Sequence, residues 1–316
     1  MKAIQINKYG GNEVIENNNN AEIPTVGPAQ VLVEIYASGI NPIDYKVREG
    51  YTQAWKPLPF PITLGSDVAG IVREVGPEVK HLNVGDEVFG SASQLDGNTG
   101  ALAEFAVTCV DLLAKKPTKI SMEEASAIPV ASTSAYDVLV GKMHLLSGQK
   151  ILIHGGAGGI GSMAIQIAKH LGAFVVTTAA ASDFDYVKEL GADLVIDYKN
   201  EKFEEMATEL DAVFDTVGGE TYVRSFQTLK EGGIIVSMIE QPNTEFMAKY
   251  GVTAIAQQTR VSTEGLEKIS DLIDKNIISI YIDRIFPLEE AVNALEYLRT
   301  QHPRGKVVVK IKNSLT

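Results

Sequence analysis

Cysteine is almost absent from this 316-residue chain, since Cys109 is the only one. A single cysteine forms no disulfide within the chain and cannot build a cysteine-cluster metal site. The five histidines show no i, i+4 or CxxH-like pairing, so the sequence predicts no metal site. Because low cysteine content is typical of a reducing environment, we expect a cytoplasmic location.

Positive charge and long apolar runs are also scarce. Lys and Arg number 28 against 40 Asp and Glu, which gives a formal net charge of −12. A nucleic-acid backbone or an anionic membrane would meet net repulsion. The chain lacks a run of about 18 apolar residues, and its N-terminus lacks the uninterrupted apolar region of a signal peptide. The sequence therefore argues against nucleic acid and a membrane as partners.

The most informative stretch is ILIHGGAGGIGSMAIQIAKHL, from Ile151 to Leu171. A short apolar run leads into a GxGxxG loop and then into an amphipathic helical pattern, the order that a dinucleotide-binding unit requires. Glycines permit the tight turn and the close approach of a pyrophosphate, and the N-terminus of the helix attracts its negative charge. The residues predicted to hold the pyrophosphate are Gly156, Ala157, Gly158, Gly159, Ile160 and Gly161.

Three segments with different patterns predict two domains. Residues 1–120 carry short alternating strands separated by turns, which is typical of a β-rich domain. Residues 121–258 alternate strands with helices, which predicts a doubly wound parallel sheet of the Rossmann type. Residues 259–316 end in the strand pattern GKVVVKI, which most simply rejoins the first domain. We therefore predict an α/β protein with the Rossmann domain inserted between two parts of a β-rich domain.

A second candidate site lies at the predicted start of a helix. Asn41 is a favourable N-cap residue, and Pro42 follows at the first helical position. This pattern places Asn41, Asp44 and Tyr45 together at a loop-to-helix junction.

Several motifs occur in an order found in a known superfamily. They are GINPIDYKVREG (39–50), LGSDVAGIVREVG (64–76), VGDEVFG (84–90), AEFAV (103–107), PVASTSAYDVL (129–139), the glycine-rich stretch, KELGAD (188–193), VFDTVGG and GKVVV. The chain resembles the zinc-independent quinone oxidoreductases and related enone reductases of the medium-chain dehydrogenase/reductase superfamily. The resemblance implies a GroES-like catalytic domain beside the Rossmann domain, an active site in the cleft between them, and a homodimer joined at the edge of the Rossmann sheet.

The chain departs from the zinc-dependent members of that superfamily. Where those alcohol dehydrogenases have a cysteine ligand, a GHE motif and a third ligand, this chain has Asn41, Gly65-Ser66-Asp67 and Val130. A catalytic zinc needs about three ligands and an open position, so the resemblance implies a protein without zinc. Hydrogen-bond donors must then stabilise the charge that develops on an acceptor such as a quinone or an α,β-unsaturated carbonyl.

Catalytic roles are assigned to the residues of the junction. Asn41 orients the substrate oxygen or the nicotinamide, Tyr45 hydrogen-bonds to or protonates the acceptor, and Asp44 holds the junction. Two alternatives remain open. In the first alternative, Asn41 and Asp44 only cap the helix. In the second, Tyr45 only packs its ring and solvent supplies the proton.

The expected cofactor is NADPH, with NADH as the alternative. An NAD-binding Rossmann unit usually carries an acidic residue about 20 positions after the glycine motif, whereas residues 174–181 read FVVTTAAA. A 2′-phosphate is therefore not repelled at the end of this strand, and Ser182 can donate to it. Asp183 and Asp185 count against this choice, although the sequence places them inside the following helix. The resemblance implies further cofactor contacts at Tyr198, Ser134, Val217, Ser237 and Lys306.

Two functions from different classes follow from these observations. The first is an oxidoreductase that transfers a hydride from NADPH to a quinone or an α,β-unsaturated carbonyl. The second is a nonenzymatic NADPH-binding redox sensor or crystallin-like protein. The complete junction from Asn41 to Tyr45 favours the enzyme.

Overall fold

A computed structural model describes residues 1–313 and divides the chain into two compact units. The first unit contains Met1–Val130, Val261–Asp274 and the described residues from Ile280 onward. The second unit contains Ala131–Arg260 and Lys275–Ser279. The last three residues of the predicted segment 259–316 lie outside the described residues.

The elements are numbered in chain order. The strands are β1 (Ala3–Ile6), β2 (Ile15–Asn18), β3 (Gln30–Ile40), β4 (Ile62–Thr63), β5 (Asp67–Val75), β6 (Glu87–Ser91), β7 (Phe105–Cys109), β8 (Leu113–Lys115), β9 (Lys150–Ile153), β10 (Phe174–Ala179), β11 (Leu194–Asp197), β12 (Leu210–Asp215), β13 (Leu229–Ser237), β14 (Thr253–Ala256), β15 (Ile282–Pro287) and β16 (Lys306–Lys310). The α-helices are α1 (Pro42–Arg48), α2 (Met122–Ser126), α3 (Pro129–Tyr136), α4 (Gly159–His170), α5 (Phe184–Glu189), α6 (Phe203–Met206), α7 (Gly219–Ser225), α8 (Thr244–Tyr250), α9 (Thr263–Asp274) and α10 (Ala291–Gln301). A π-helical segment, Asp137–Lys142, follows α3.

The first unit is built around the long strand β3. Its larger sheet has the order β15-β16-β3-β5-β6-β8, and β7 also pairs with β3, while β2, β1 and β4 form a smaller sheet. Val33, Val68 and Val88 bury their side chains in one core of this unit, as β-branched residues do on a pleated surface. Because β16 pairs antiparallel with β3, the C-terminal GKVVVKI stretch lies in the same sheet as the N-terminal strands.

The second unit is a parallel sheet with helices between its strands. Its order is β11-β10-β9-β12-β13-β14, which corresponds to 3-2-1-4-5-6 counted along the chain. That order is the one of a doubly wound dinucleotide-binding fold. Ile151, Leu152 and Ile153 of β9 are fully buried, as expected for a central parallel strand that helices cover on both faces. The predicted α/β fold class is therefore confirmed.

The first division of the chain lies further along than the sequence predicted. The sequence placed it near Ile120, whereas the structure places it between Val130 and Ala131. Helix α2 packs on β3 and β5 and so belongs to the first unit. Gly39 of β3 permits this close approach, since a Cβ there would lie 2.2 Å from the Ser126 carbonyl oxygen.

The five residues Lys275–Ser279 were predicted to be part of the first domain, but the structure assigns them to the second unit. The backbone N–H of Ser279 donates to Gln166 Oε1 of α4 at 2.8 Å, which ties this short segment to the Rossmann sheet's first helix. Among the described residues, no helix combines the length and the apolar character that crossing a membrane requires.

Candidate active site

The glycine-rich turn lies between β9 and α4 and has no room for side chains at two positions. A Cβ on Gly156 would lie 2.0 Å from Thr177 Oγ1, and a Cβ on Gly161 would lie 2.2 Å from the Gly155 carbonyl oxygen. Gly155 itself has a φ of 69°, in the left-handed region that favours glycine. These contacts explain why the turn needs glycine at these positions.

The start of α4 offers backbone donors for an anion. Gly156 N–H donates to the Thr178 carbonyl oxygen and Gly158 N–H to that of Gly155, each at 3.0 Å, and these bonds fix the turn. The N–H groups of the first helical turn, from Gly159 to Gly161, have no acceptor within the helix, because each would need a carbonyl four residues earlier. This arrangement fits the pyrophosphate of a dinucleotide.

His154, which the sequence predicts to be a structural residue at the end of a strand, supports the turn from inside the unit. Its Nδ1 lies 3.2 Å from Thr178 Oγ1 and its Nε2 lies 2.9 Å from Ser225 Oγ. Thr178 Oγ1 in turn accepts the N–H of Gly155 at 3.2 Å. Burial lowers the pKa of His154 to about 3, so its ring is neutral at physiological pH. The sequence signal for this role is the position of the histidine directly before the glycine motif.

The carboxyl ends of β10 and β11 bring together residues predicted to contact a 2′-phosphate. Ser182 lies in a 3₁₀ turn after β10, and Tyr198 directly follows β11. The Tyr198 N–H donates to the Ala179 carbonyl oxygen at 3.3 Å, and its side chain is exposed. Lys199, which the sequence reasoning missed, places its ammonium 5.7 Å from the centre of the Tyr198 ring. This edge therefore carries hydroxyl groups and a positive charge.

The other predicted cofactor contacts of the second unit lie in α3, after β12 and at the end of β13. Ser134 is buried, with its Oγ 2.6 Å from Thr259 Oγ1, and Val217 is exposed after β12. The Ser237 hydroxyl donates to Asp215 Oδ2 at 2.6 Å, and Asp215 Oδ1 accepts the Val217 N–H at 3.0 Å. Asp215, another residue that the sequence reasoning missed, thus shapes the loop that carries Val217. Direct contact of Ser134, Val217 and Ser237 with a cofactor stays a prediction.

In the first unit, Asn41 caps α1 within a network of buried polar groups. Its backbone N–H donates to Asp44 Oδ2 at 2.7 Å. Its side-chain Nδ2 donates to Asp67 Oδ2 at 2.8 Å and to Ser66 Oγ at 3.2 Å. The hydrogens of the Asn41 amide are therefore bound inside the unit, and the orienting of substrate or nicotinamide by Asn41 stays a prediction.

Lys306 completes this buried network from the neighbouring strand β16. Its ammonium donates to the Ile40 carbonyl oxygen at 3.0 Å and to Asn41 Oδ1, and it lies 3.6 Å from Asp67 Oδ2. The other oxygen of Asp67 accepts the Val130 N–H at 3.0 Å. Lys306 was predicted as a cofactor contact, and the structure places its charged group among residues of the first unit.

Burial controls the ionisation of this network. It raises the pKa of Asp44 to about 7, with the neighbouring Asp67 charge acting in the same direction. Burial also raises the pKa of Asp67 and lowers that of Lys306, while the attraction between these two groups opposes both shifts. Asp67 could have been noticed in the sequence as a carboxylate directly before the apolar run VAGIV.

Tyr45 is half-buried on α1 and packs against an apolar core that includes Ile40 and Leu295. Burial, and then the nearby Glu49 carboxylate, raises the pKa of Tyr45, so its phenol keeps its proton at neutral pH. A protonated phenol can donate a hydrogen bond to a developing oxyanion. In residues 1–313, no group of three or more His, Cys, Asp or Glu side chains has an arrangement that could hold a metal ion.

Comparisons with known proteins agree with this architecture. Residues 27–118 match the alcohol dehydrogenase GroES-like domain family, and residues 190–309 match the zinc-binding dehydrogenase family. The chain is 38% identical to the 2-methylene-furan-3-one reductase of Solanum lycopersicum over 98% of this chain and 79% of the relative. The chain belongs to the quinone and enone oxidoreductases of the medium-chain dehydrogenase/reductase superfamily.

Two further members illustrate the range of this family. The chloroplastic NADPH-dependent alkenal/one oxidoreductase of Arabidopsis thaliana is 35% identical over 98% of this chain and 79% of its own length. The structure of the quinone oxidoreductase from Coxiella burnetii superposes with a TM-score of 0.90 at 34% identity and covers 99% of both chains. The resemblance inferred from the motifs is therefore confirmed.

Proposed function

We propose that this protein is an oxidoreductase that uses NADPH to reduce quinones or α,β-unsaturated carbonyl compounds. The observation that carries the proposal is the glycine-rich turn at the start of α4, where the first N–H groups have no acceptor within the helix, in a chain that belongs to this family. The names of two relatives support the acceptor class, since one is an alkenal/one oxidoreductase and the other a quinone oxidoreductase.

The choice of NADPH is supported by the residues at the ends of β10 and β11. Ser182 and Tyr198 supply hydroxyl groups there, and Lys199 supplies a positive charge that suits a 2′-phosphate. When bound, the cofactor supplies a hydride from its nicotinamide ring. The turn from Gly156 to Gly161 would hold the pyrophosphate, and the loop shaped by Asp215 would help to fix the remainder of the molecule.

The proposed reaction does not use zinc, although the matched family is described as zinc-binding. The oxygen-rich group formed by Asn41, Ser66 and Asp67 contains only one carboxylate and no sulfur or imidazole ligand. The Lys306 ammonium already binds to Asn41 Oδ1 and lies beside Asp67, where it would repel a divalent cation. These residues therefore do not fit zinc.

Without a metal, a side-chain donor must stabilise the reduced acceptor. Tyr45 has the required proton, and we assign it to hydrogen-bonding or protonating the acceptor oxygen or carbon. Asp44 accepts the Asn41 N–H and so holds the start of the helix that carries Tyr45. A homodimer, a small-molecule substrate and a cytoplasmic location remain parts of the proposal.

A stopped-flow assay of NADPH oxidation with a panel of small quinones and enones tests the proposed function. We expect at least one acceptor to oxidise NADPH in repeated turnovers. Tight binding of NADPH with no oxidation by any acceptor would instead support a nonenzymatic sensor or crystallin-like protein.

The Tyr45→Phe variant tests the assigned donor. We expect kcat to fall about 10²-fold, the lower end of general acid catalysis, while NADPH affinity stays within about threefold. Tyr297→Phe is a matched control, since Tyr297 packs on the same core and donates its hydroxyl to Asp283 at 2.6 Å. An unchanged kcat in Tyr45→Phe would assign the ring to packing and the proton to solvent.

A further inference from the structure

The Lys306 ammonium lies in a cage of oxygen atoms inside the first unit. The cage consists of the Ile40 carbonyl oxygen at 3.0 Å, Asn41 Oδ1, and Asp67 Oδ2 at 3.6 Å. An ammonium carries three donors and no acceptor, and its burial without partners would be very unfavourable. The lysine side chain is 4% exposed and the Asp67 side chain is fully buried. The buried Lys306 ammonium therefore has one backbone oxygen and two side-chain oxygens as partners.

This cation determines which way the Asn41 amide faces. In the observed orientation, Oδ1 accepts from the Lys306 ammonium and Nδ2 donates to Asp67 Oδ2. A half-turn of the amide would place its NH₂ group against the ammonium and its oxygen against the Asp67 carboxylate. Both new contacts would be repulsive, so Lys306 and Asp67 together select a single orientation.

Asn41 also forms the start of α1. Asn41 is the N-cap residue, and its backbone N–H donates to Asp44 Oδ2 at 2.7 Å. The next residue after Asp44 is Tyr45, whose ring packs on the apolar core that includes Ile40. A shift of the Asn41 cap would therefore move the helical turn that carries the proposed donor.

We propose that Lys306 is a positioning residue, which serves as an internal cation that fixes the Asn41 amide and through it the place of Tyr45. This inference rests on the proposed function for its effect on turnover. It assigns to Lys306 a role different from direct contact with NADPH, because its ammonium is already bonded to Ile40 and Asn41.

The test compares Lys306→Ala with the native protein in steady-state kinetics and NADPH titration. We expect kcat to fall about 10²-fold, the effect of a misplaced reacting group, while the Kd for NADPH stays within about threefold. Ethylammonium chloride should restore kcat at least about tenfold by filling the vacated cage, whereas tetramethylammonium chloride, which has no N–H donor, should not.

Lys310→Ala is the matched control on the same strand. The Lys310 ammonium pairs with Glu123 at 2.9 Å, and the Lys310 side chain is partly exposed. Lys310→Ala should therefore keep the native kcat, and ethylammonium should not change that kcat. If Lys306→Ala fails to fold, the double variant Asp67→Asn with Lys306→Met removes both buried charges together and leaves neither unpaired. We expect the double variant to fold with a reduced kcat.

Three results would overturn the inference. An NADPH Kd that rises as much as kcat falls would make Lys306 a cofactor ligand. A native kcat in either Lys306→Ala or the double variant, or no rescue of Lys306→Ala by ethylammonium, would remove the positioning role.

A second measurement does not depend on turnover and separates this inference from the proposed function. The side-chain amide of Asn41 should be protected from solvent exchange in NMR spectra of the native protein. Protection should be lost in Lys306→Ala and return with ethylammonium, and unchanged protection in the variant would contradict the inference. Absence of NADPH oxidation by the native protein would reject only the proposed function.

Discussion

At the scale of single residues, Asp44 links the candidate site to the pH dependence of stability. The residue is 3% exposed, and burial raises the pKa of its carboxyl group from 3.8 to about 7. In the unfolded chain the same group ionises near its ordinary value. Between these two pKa values the folded protein retains a proton that the unfolded chain has released, so stability falls as pH rises through this range.

The Asp44→Asn variant should remove this pH dependence. An asparagine keeps an oxygen that can accept the Asn41 N–H, but it does not titrate. Relative to the variant, the native protein should lose free energy of unfolding on the order of 4 kcal/mol between about pH 4 and pH 7. The difference should then stay constant above about pH 7, because Asp44 is ionised in both states there. Urea unfolding of both proteins at a series of pH values measures the difference.

Asp86→Asn provides a control with the opposite sign. The Asn83 N–H and the Lys115 ammonium lower the pKa of Asp86, so its contribution is present at neutral pH and is lost only as pH falls through its folded pKa. Between about pH 5 and pH 7 the difference between native protein and Asp86→Asn should be constant. A similarly constant difference for Asp44→Asn would contradict the raised pKa of Asp44.

At the scale of structural elements, the turn between β9 and α4 depends on the absence of side chains. Gly161→Ala would place a Cβ 2.2 Å from the Gly155 carbonyl oxygen, so the start of α4 must move away from the strand. Overpacking of this kind costs about 1–3 kcal/mol, and we expect the Kd for NADPH to rise about 10-fold to 100-fold. Fluorescence titration with NADPH measures the effect.

Gly141→Ala is the matched control, since the Cβ that it would add meets no atom within 4 Å apart from its chain neighbours and the backbone of its own helical segment. We expect the control to bind NADPH as the native protein does. If Gly161→Ala also kept native affinity, the close packing of α4 on the turn would not be what shapes the phosphate site.

Elements with a local signature could be predicted from the sequence. The turn at Gly156, the strand before it and the helix after it follow from residues next to each other in the chain, and α4 ends at His170, one residue before the predicted end. Helix α2 also has a local signature, because its cap Ser121 accepts the Glu124 N–H at 3.1 Å. The unit to which α2 belongs has no such signature, because it depends on the contact with the distant strand that contains Gly39.

The candidate site shows the same limit. Asn41, Asp44 and Tyr45 could be chosen because capping residues and proline mark the start of α1 locally. The partner of the Asn41 amide could not be predicted from the sequence. Lys306 lies 265 positions away and reaches Asn41 only through the pairing of β16 with β3. Direct contact with the cofactor and burial in a network are equally compatible with a lysine in GKVVV.

At the scale of the whole molecule, the edge of the parallel sheet supports the proposed homodimer. In the described chain β14 pairs with β13 and ends the sheet, so one side of β14 is available for a second copy. The Gln257 N–H donates to the Ser237 carbonyl oxygen of β13. Because N–H groups alternate in direction along a strand, that of Ala256 faces away from β13.

Ala256→Pro should therefore weaken a dimer that pairs through this edge. Proline removes the outward N–H and is tolerated on edge strands, so the fold should be retained. We expect the native protein to sediment at twice the chain mass of 34.1 kDa and the variant to sediment as a monomer at low micromolar concentration. Ala256→Val, which keeps the N–H, should remain dimeric. A dimeric Ala256→Pro variant with native circular dichroism would place the subunit contact elsewhere, and a monomeric native protein would reject the homodimer.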